Sequence, residues 1–238
     1  ANNIANVNTT GFKGSRAEFQ ELIYQQVRAA GNPNVPGGAP TNVEVGLGVR
    51  TAATQKDFAQ GTLEATENPL DVAIEGTGFF QVQQLTGEFS YTRAGNFKLD
   101  ANGMLVTADG LPLDPPVTVP PEATSVAIER DGRVNITLPG DNTVQEVGQI
   151  QLVNFPNPAG LQSLGRGQFA PTDASGPPVL AVPGELGMGE LSQGFLEGSN
   201  VEIVQEMVSM IVSQRAYEIN SKVIRTADEM LRTATNVR

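Results

Sequence analysis

The chain has 238 residues, enough for one large domain or two modest ones, and its 15 Lys and Arg against 26 Asp and Glu residues give a net charge of −11. That acidity argues against a nucleic-acid-binding protein, whose contact surface for phosphates is basic, and against a polybasic membrane-surface protein. The sequence contains no His and no Cys, which excludes the usual zinc sites, disulfides, and Ser-His or Cys-His nucleophiles. With 26 Gly and 16 Pro residues, the composition does not fit a mostly helical protein.

The first thirty residues combine a turn signal with apolar residues at helical spacing. Asn8-Thr9-Thr10-Gly11 is typical of a helix end, because Gly tolerates the left-handed conformation. Four large apolar residues farther along are spaced as one face of a helix or as an extended amphipathic strip: Phe19, Leu22, Ile23 and Val27. The residues alone leave both conformations open, the helix and the extended strip. The chain starts without Met and reads as the tail of a helix, so we expect that more of this helix precedes Ala1.

Residues 31–48 are rich in Gly and Pro, which predicts a long loop or an extended arm. At its end, apolar residues alternate with Glu44 and two glycines: Val43, Val45, Leu47 and Val49. This alternation suits an extended strip that buries one face on a neighbour, and a solvated linker is the alternative.

Residues 49–195 read as β-structure. Three turn dipeptides are typical of tight hairpins: Asn102-Gly103, Asp109-Gly110 and Asp131-Gly132. Short apolar runs of strand length surround them, at residues 72–74, 79–82, 104–106, 126–128 and 134–136, and residues 149–155 are predicted as one more strand. Gly76-Thr77-Gly78 begins like a dinucleotide-binding fingerprint but lacks the third Gly, so it predicts a tight strand entry.

Residues 200–237 contain no Gly or Pro and carry an apolar residue at every seventh position: Ile203, Met210, Tyr217, Ile224 and Leu231. Further apolar residues, including Met207 and Ile211, widen this stripe. A heptad sustained over about five repeats predicts a long helix with coiled-coil packing. The alternative is a helix packed on its own β domain, but at about 1.5 Å per residue it would overhang a domain of this size.

No motif predicts catalysis. Carboxylates are scattered among the predicted hairpins, and the sequence leaves open that two of them face one cleft, as in a glycosidase. Sugar sites usually contain aromatic platforms, however, and the chain has no Trp and only three Tyr. We therefore predict that the protein is not an enzyme and has no catalytic residue, no metal site and no cofactor. A β-rich carbohydrate-binding or hydrolytic domain is the alternative from a different class.

Three long segments, in the right order, resemble the bacterial flagellar rod and hook axial proteins. They are residues 1–13 (ANNIANVNTTGFK), residues 71–80 with 91–97 (DVAIEGTGFF and YTRAGNF), and residues 194–201 with 214–222 (GFLEGSNV and QRAYEINSK). The resemblance covers nearly the whole chain. It agrees with a fold that is mainly β with helical termini: a complex β domain of short strands and hairpins plus a long C-terminal coiled-coil-type helix, whose N-terminal partner helix is mostly missing.

The resemblance implies a division into three regions and a structural role. Residues 1–30 and 196–238 would form a terminal coiled-coil core, residues 31–70 an extended arm and linker, and residues 71–195 an outer β domain. Such a subunit polymerises into a helical tubular drive shaft that transmits torque from motor to hook. The features of the arm and of the C-terminal segment favour the distal part of the rod. A proximal rod subunit is the close alternative, and a hook subunit would need a further inserted β domain.

The partners that the resemblance implies are copies of the chain itself, proximal rod proteins, the hook protein, the surrounding L- and P-ring bushing, and the flagellar export apparatus, with no nucleic acid and no membrane insertion. The protein would be exported without a cleaved signal peptide and assemble in the periplasm. The residues expected at subunit interfaces are Ile4, Val7, Phe12, Ile203, Met207, Met210, Ile211, Tyr217, Ile224 and Leu231. Those expected in the arm between subunits are Val43, Val45, Leu47 and Val49.

Overall fold

The computed structural model describes residues 1–28, 42–139 and 143–236, and it is mainly β with a helix at each end, as the sequence predicts. The helices are α1 (Asn2–Ala5) and α2 (Ile203–Asn236), with a 3₁₀ turn at Pro158–Gly160. The strands are β1 (Ser15–Glu21), β2 (Tyr24–Arg28), β3 (Val43–Gly46), β4 (Val49–Lys56), β5 (Leu63–Ala65), β6 (Val72–Glu75), β7 (Phe79–Gln83), β8 (Phe89–Thr92), β9 (Lys98–Leu99), β10 (Leu105–Val106), β11 (Ser125–Ile128), β12 (Arg133–Thr137), β13 (Val144–Gln149), β14 (Leu152–Asn154), β15 (Gln162–Gly165), β16 (Gln168–Ala170), β17 (Val179–Ala181), β18 (Glu190–Gln193) and β19 (Phe195–Glu197).

The chain divides into two compact units. One contains residues 1–13 and 59–238, and the other contains residues 14–58. Within the first unit we call residues 59–202 the β body. The second unit we call the ribbon.

The centre of the β body is a six-stranded antiparallel sheet with the order β15-β16-β8-β7-β14-β17. Side chains alternate between the two faces of a strand, so β7 buries residues on both sides. Phe80 and Val82 enter the main apolar core. On the other face Phe79 packs edge-on against Phe155 and Phe169, each with ring centroids 6.0 Å apart. The sheet is therefore covered on both faces.

A three-stranded sheet, β11-β12-β13, contributes a second wall of the core. Along β12 the buried residues Val134 and Ile136 alternate with more exposed neighbours, which is the pattern of a half-buried strand. The turn between β11 and β12 contains Gly132 at φ 84°, a conformation that glycine adopts without strain. Gly103 and Gly110 have similar positive φ values, so the three predicted turn dipeptides are confirmed.

Two strand pairs join the start of the β body to its end. Strand β6 pairs with β18, and β5 pairs with β19 just before the approach to α2. Gly76 and Gly78 connect β6 to β7, which confirms the predicted tight strand entry. Within the predicted strand at residues 149–155 the structure has one shorter strand, β14, which begins at Leu152, while Gln149 is the last residue of β13 in the other sheet.

The ribbon is an antiparallel structure in which β1 pairs with β4, from Ser15 opposite Lys56 to Glu21 opposite Val49, and β2 pairs with β3. Of the two conformations that the sequence left open for residues 19–27, the extended one is observed. The described part of the expected terminal helical region, residues 1–30, is helical only at Asn2–Ala5. The physical reason is cross-strand pairing, which satisfies backbone groups that a helix would have paired locally. Residues 31–41 of the predicted arm lie outside the described residues.

Candidate assembly surfaces

Helix α2 presents a continuous apolar stripe to solvent. All five residues of the heptad series are exposed in the described chain, and Tyr217 is the most exposed of them, at 76%. Met207 and Ile211 are exposed beside them. A helix of 34 residues is about 51 Å long at 1.5 Å per residue. Large exposed apolar patches are typical of interaction sites.

The first turns of α2 lie beside α1. The Asn3 side-chain amide donates a hydrogen bond to the Glu206 carboxylate over 2.7 Å. Ile4, Val7 and Phe12, the N-terminal residues predicted at interfaces, are half-buried. The short α1 reaches only the start of the apolar stripe, whose later residues are uncovered in the described structure.

A buried ionic junction lies where the N-terminal segment and the approach to α2 meet the β body. The Glu197 carboxylate accepts hydrogen bonds from Lys13 Nζ at 2.7 Å and from the Gly61 amide at 2.9 Å, and Arg93 Nε lies 3.0 Å from its second oxygen. The side chains of Lys13, Glu197 and Arg93 are 0%, 0% and 3% exposed. We call this set the Glu197 junction.

Arg93 is held by more than one partner. Its two terminal nitrogens donate to the carbonyl oxygens of Gly78 and Gly76, each over 2.7 Å. Burial lowers the pKa of Arg93, while the charge of Glu197 and its hydrogen bond act in the opposite direction. Arginine stays protonated even so, which suits it to a buried ion pair.

The ribbon exposes many large apolar side chains. The predicted arm residues are among them: Val43, Val45, Leu47 and Val49. Val43 and Val45 share one face of β3, because they are two positions apart. Phe19, Ile23 and Val27 add to this exposed surface of the ribbon.

The described residues offer little that points to metal or membrane chemistry. Within residues 1–28, 42–139 and 143–236, no group of three or more Asp or Glu side chains is arranged to hold a metal ion. In those same ranges no helix is both long and apolar enough to cross a bilayer. One open, polar pocket is lined by Glu75, Arg130 and Glu190 together with glycines, Thr77 and Met188, and no aromatic ring lines it.

The structure thus brings the predicted helical interface residues together along α2 and places the arm residues on the ribbon. The Glu197 junction was missed. Its signal in the sequence is charged residues set inside Gly- and Phe-rich segments, Gly11-Phe12-Lys13 and Phe195-Leu196-Glu197-Gly198. Lys and Glu are rarely buried unless they are paired. A Lys and a Glu set in such segments therefore indicate a buried ion pair.

Two family models match the chain. Residues 73–136 match the "Flagellar hook protein FlgE/F/G D1 domain", which corresponds to the first half of the β body. Residues 192–237 match the "Flagellar basal body rod FlgEFG protein C-terminal" model, which corresponds to β18, β19 and α2.

Curated relatives match over nearly the full length. The flagellar basal-body rod protein FlgG of Buchnera aphidicola subsp. Schizaphis graminum is 48% identical over 97% of the chain and 89% of its own length. FlgG of Caulobacter vibrioides is 47% identical over 100% of the chain and 92% of its own length. The flagellar basal-body rod protein FlgF of the same organism is 34% identical over 98% of the chain and 88% of its own length. In this one organism the chain is thus more similar to FlgG than to FlgF.

Proposed function

The chain belongs to the FlgG family of flagellar basal-body rod proteins, and on that premise we propose that it is a structural subunit of the distal rod, which polymerises into a helical tubular drive shaft and transmits torque from motor to hook. The observation that carries this proposal is the exposed apolar stripe of α2. Repeated contacts between unlike surfaces of identical subunits build an open filament and need no catalytic group.

The charge distribution supports an outer position for the β body. Residues 59–202 contain 5 Lys and Arg against 18 Asp and Glu, a net charge of −13. Residues 203–236 contain 4 positively and 4 negatively charged residues, and so do residues 14–58. The acidity of the protein therefore belongs to the β body. A helix with no net charge and an apolar stripe suits the packed interior of a tube, and a strongly charged domain suits its solvated outside.

The proposed partners are further copies of the chain, proximal rod proteins, the hook protein, the L- and P-ring bushing and the export apparatus. The proposed location is the periplasmic part of the basal body, after export without a cleaved signal peptide. The names of the relatives support the basal-body rod as the setting. The terminal segments, the arm and the outer β domain would contribute separate contacts in the polymer.

The ribbon is proposed to act as an arm between subunits. Val43, Val45, Leu47 and Val49 would bury their exposed surfaces on a neighbouring copy and so resist bending of the tube. The support for this proposal is the exposure of these side chains, of which Leu47 lies between β3 and β4 and the other three lie on strands that bury few residues of their own.

No observation favours an enzyme. The relatives are named as rod proteins, and the pocket lined by Glu75 and Glu190 lacks the aromatic platform that a sugar site would use. Arg130 already lies 3.5 Å from Glu190 as an exposed ion pair. We propose that this pocket has no catalytic role.

Complementation tests the function directly. A Caulobacter vibrioides strain that lacks its own FlgG would express this protein, and basal bodies would be examined by electron microscopy. We expect complete rods, hooks and restored motility. A catalytic or carbohydrate-binding protein would leave the strain without distal rods, and that outcome would refute the proposal.

A further inference from the structure

Four chain segments meet at the Glu197 junction. The N-terminal segment arrives through Lys13. The other three segments belong to the β body: residues 59–61, Arg93, and the end of β19 with Glu197, just before the approach to α2. The carbonyl oxygen of Ala59 accepts from Lys13 Nζ at 2.7 Å and from the Asn200 side-chain amide at 3.1 Å. The junction therefore connects the N-terminal segment to the part of the β body that leads into α2.

The junction contains three buried charged side chains. Two cations, Lys13 and Arg93, share one carboxylate, and all three side chains are removed from water. Removing charges from water costs free energy that ion pairing often does not recover, so a buried ion cluster is weak evidence for a stabilising role. Arg93 and Glu197 alone would form a neutral pair within the β body. Lys13, the second cation at this carboxylate, belongs to the N-terminal segment.

The backbone next to Lys13 is also held close to the β body. The Gly11 amide donates to the Glu197 carbonyl oxygen over 2.7 Å. Gly11 has φ +66°, and a Cβ atom there would lie 2.7 Å from Ala94 N and 2.8 Å from Arg93 C. Only glycine permits this approach, so the N-terminal segment lies directly on the backbone of residues 93–94.

We infer that Lys13 is a positioning residue, whose bond to Glu197 fixes the direction in which the N-terminal segment leaves the β body beside α2, so that it is required for polymerisation and not for folding of the β body. The inference rests on the proposed function, since polymerisation is the activity at stake. Without the bond, the direction of the segment would be less closely fixed, and α1 would no longer be held in one position beside α2. The Arg93–Glu197 pair would remain.

The test compares Lys13→Met with the matched control Lys98→Met, which makes the same change at an exposed lysine of the β body. For Lys13→Met we expect a melting temperature within about 3 °C of wild type, hydrogen exchange of the Gly11 amide faster by about tenfold or more, and no rods in the complemented strain. Lys98→Met should behave as wild type in all three measurements. Glu197→Gln, which leaves two buried cations without a carboxylate, should lower the melting temperature by roughly 10 °C.

A second variant keeps the inference testable if Lys13→Met does not fold. Gly11→Ala leaves all three charges in place, displaces the N-terminal segment, and should also abolish rods. Normal rods with either Lys13→Met or Gly11→Ala would overturn the inference, as would a melting temperature of Lys13→Met lowered as far as that of Glu197→Gln. If the wild-type protein itself forms no rods, the proposed function fails, and that result differs from rods formed equally by wild type and variant.

Discussion

At Gly95 the backbone of the β body approaches Val72 so closely that no side chain fits between them. A Cβ atom there would lie 1.7 Å from the Val72 carbonyl oxygen and 3.2 Å from the Phe80 ring. We expect Gly95→Ala to lower the free energy of unfolding by about 1–3 kcal/mol or more, because the core must shift. Gly110→Ala is the control. Its added methyl group meets nothing within 4 Å, so only its φ of +80° opposes the change, at about 1 kcal/mol. Chemical denaturation measures both, and equal losses would contradict the steric argument.

The turn at Asp100 should respond to acid. The Met104 amide donates to the Asp100 carboxylate over 2.8 Å and lowers its pKa, and the Asn102 amide acts in the same direction. A lowered pKa in the folded state means that the charged form contributes stability above the ordinary pKa of Asp, about 3.9, and that this contribution is lost as the pH falls through the folded pKa. A carboxyl NMR titration should therefore place Asp100 below its ordinary value. A midpoint at or above that value would refute this reading of the turn.

Single residues differ in how far their roles could be predicted. Gly103, Gly110 and Gly132 were predictable because a two-residue turn signal is local and depends on one conformation. Lys13 and Glu197 were not, because they are 184 positions apart in the chain and meet only after both terminal segments have reached the β body. No local sequence pattern shows that two residues so far apart in the chain form a pair in the fold.

Among the elements, α2 offers the sharpest test of assembly. Ile224 is exposed in the single chain, so Ile224→Ala should leave the melting temperature unchanged. If the residue is buried between subunits, the loss is roughly 2–5 kcal/mol at every subunit of the polymer, and rods should be absent from electron micrographs. Arg225→Ala, at the next position of the same helix, is the control and should assemble. Normal rods with Ile224→Ala would show that the stripe is not an interface.

Substitutions on the strands of the ribbon test whether the ribbon stiffens the assembled rod. Val43→Ser with Val45→Ser removes apolar surface from one face of β3, while Glu44→Gln changes the residue between them on the opposite face. We expect the double variant to form rods that bend more readily, and the Glu44→Gln rods to stay straight. Curvature on electron micrographs is the measurement. If the rods of the two variants are equally straight, the ribbon is a solvated linker and not a bridging arm.

Elements with a local signal were predicted well, and elements that depend on distant partners were not. Helix α2 follows from a heptad series that contains no Gly or Pro. Residues 15–28 carry spacing that suits a helix or a strand equally, and what decides between them is pairing with residues 43–56 across the ribbon. That pairing requires the chain to turn back, which no local pattern in residues 15–28 reveals.

At the scale of the whole molecule, the β body should fold without the helix and the ribbon. A fragment of residues 59–202 retains the β5–β19 and β6–β18 pairs and the Arg93–Glu197 pair, and we expect it to be monomeric and to melt cooperatively. A shorter fragment of residues 71–190 removes most of β18 and leaves Arg93 without the Glu197 carboxylate. It should melt at a lower temperature by circular dichroism. Equal melting temperatures would mean that these closing contacts do not stabilise the domain.

The ribbon leaves the first unit after Lys13 and the chain returns at Ala59, and the bond between these two residues holds the points of exit and return together. An insertion whose ends are already neighbours adds little closure entropy when it is lengthened, about 0.6 kcal/mol for each doubling. Lengthening or shortening the ribbon therefore costs little free energy. A ribbon of different length can be inserted between Lys13 and Ala59 while the contacts of the Glu197 junction stay as they are.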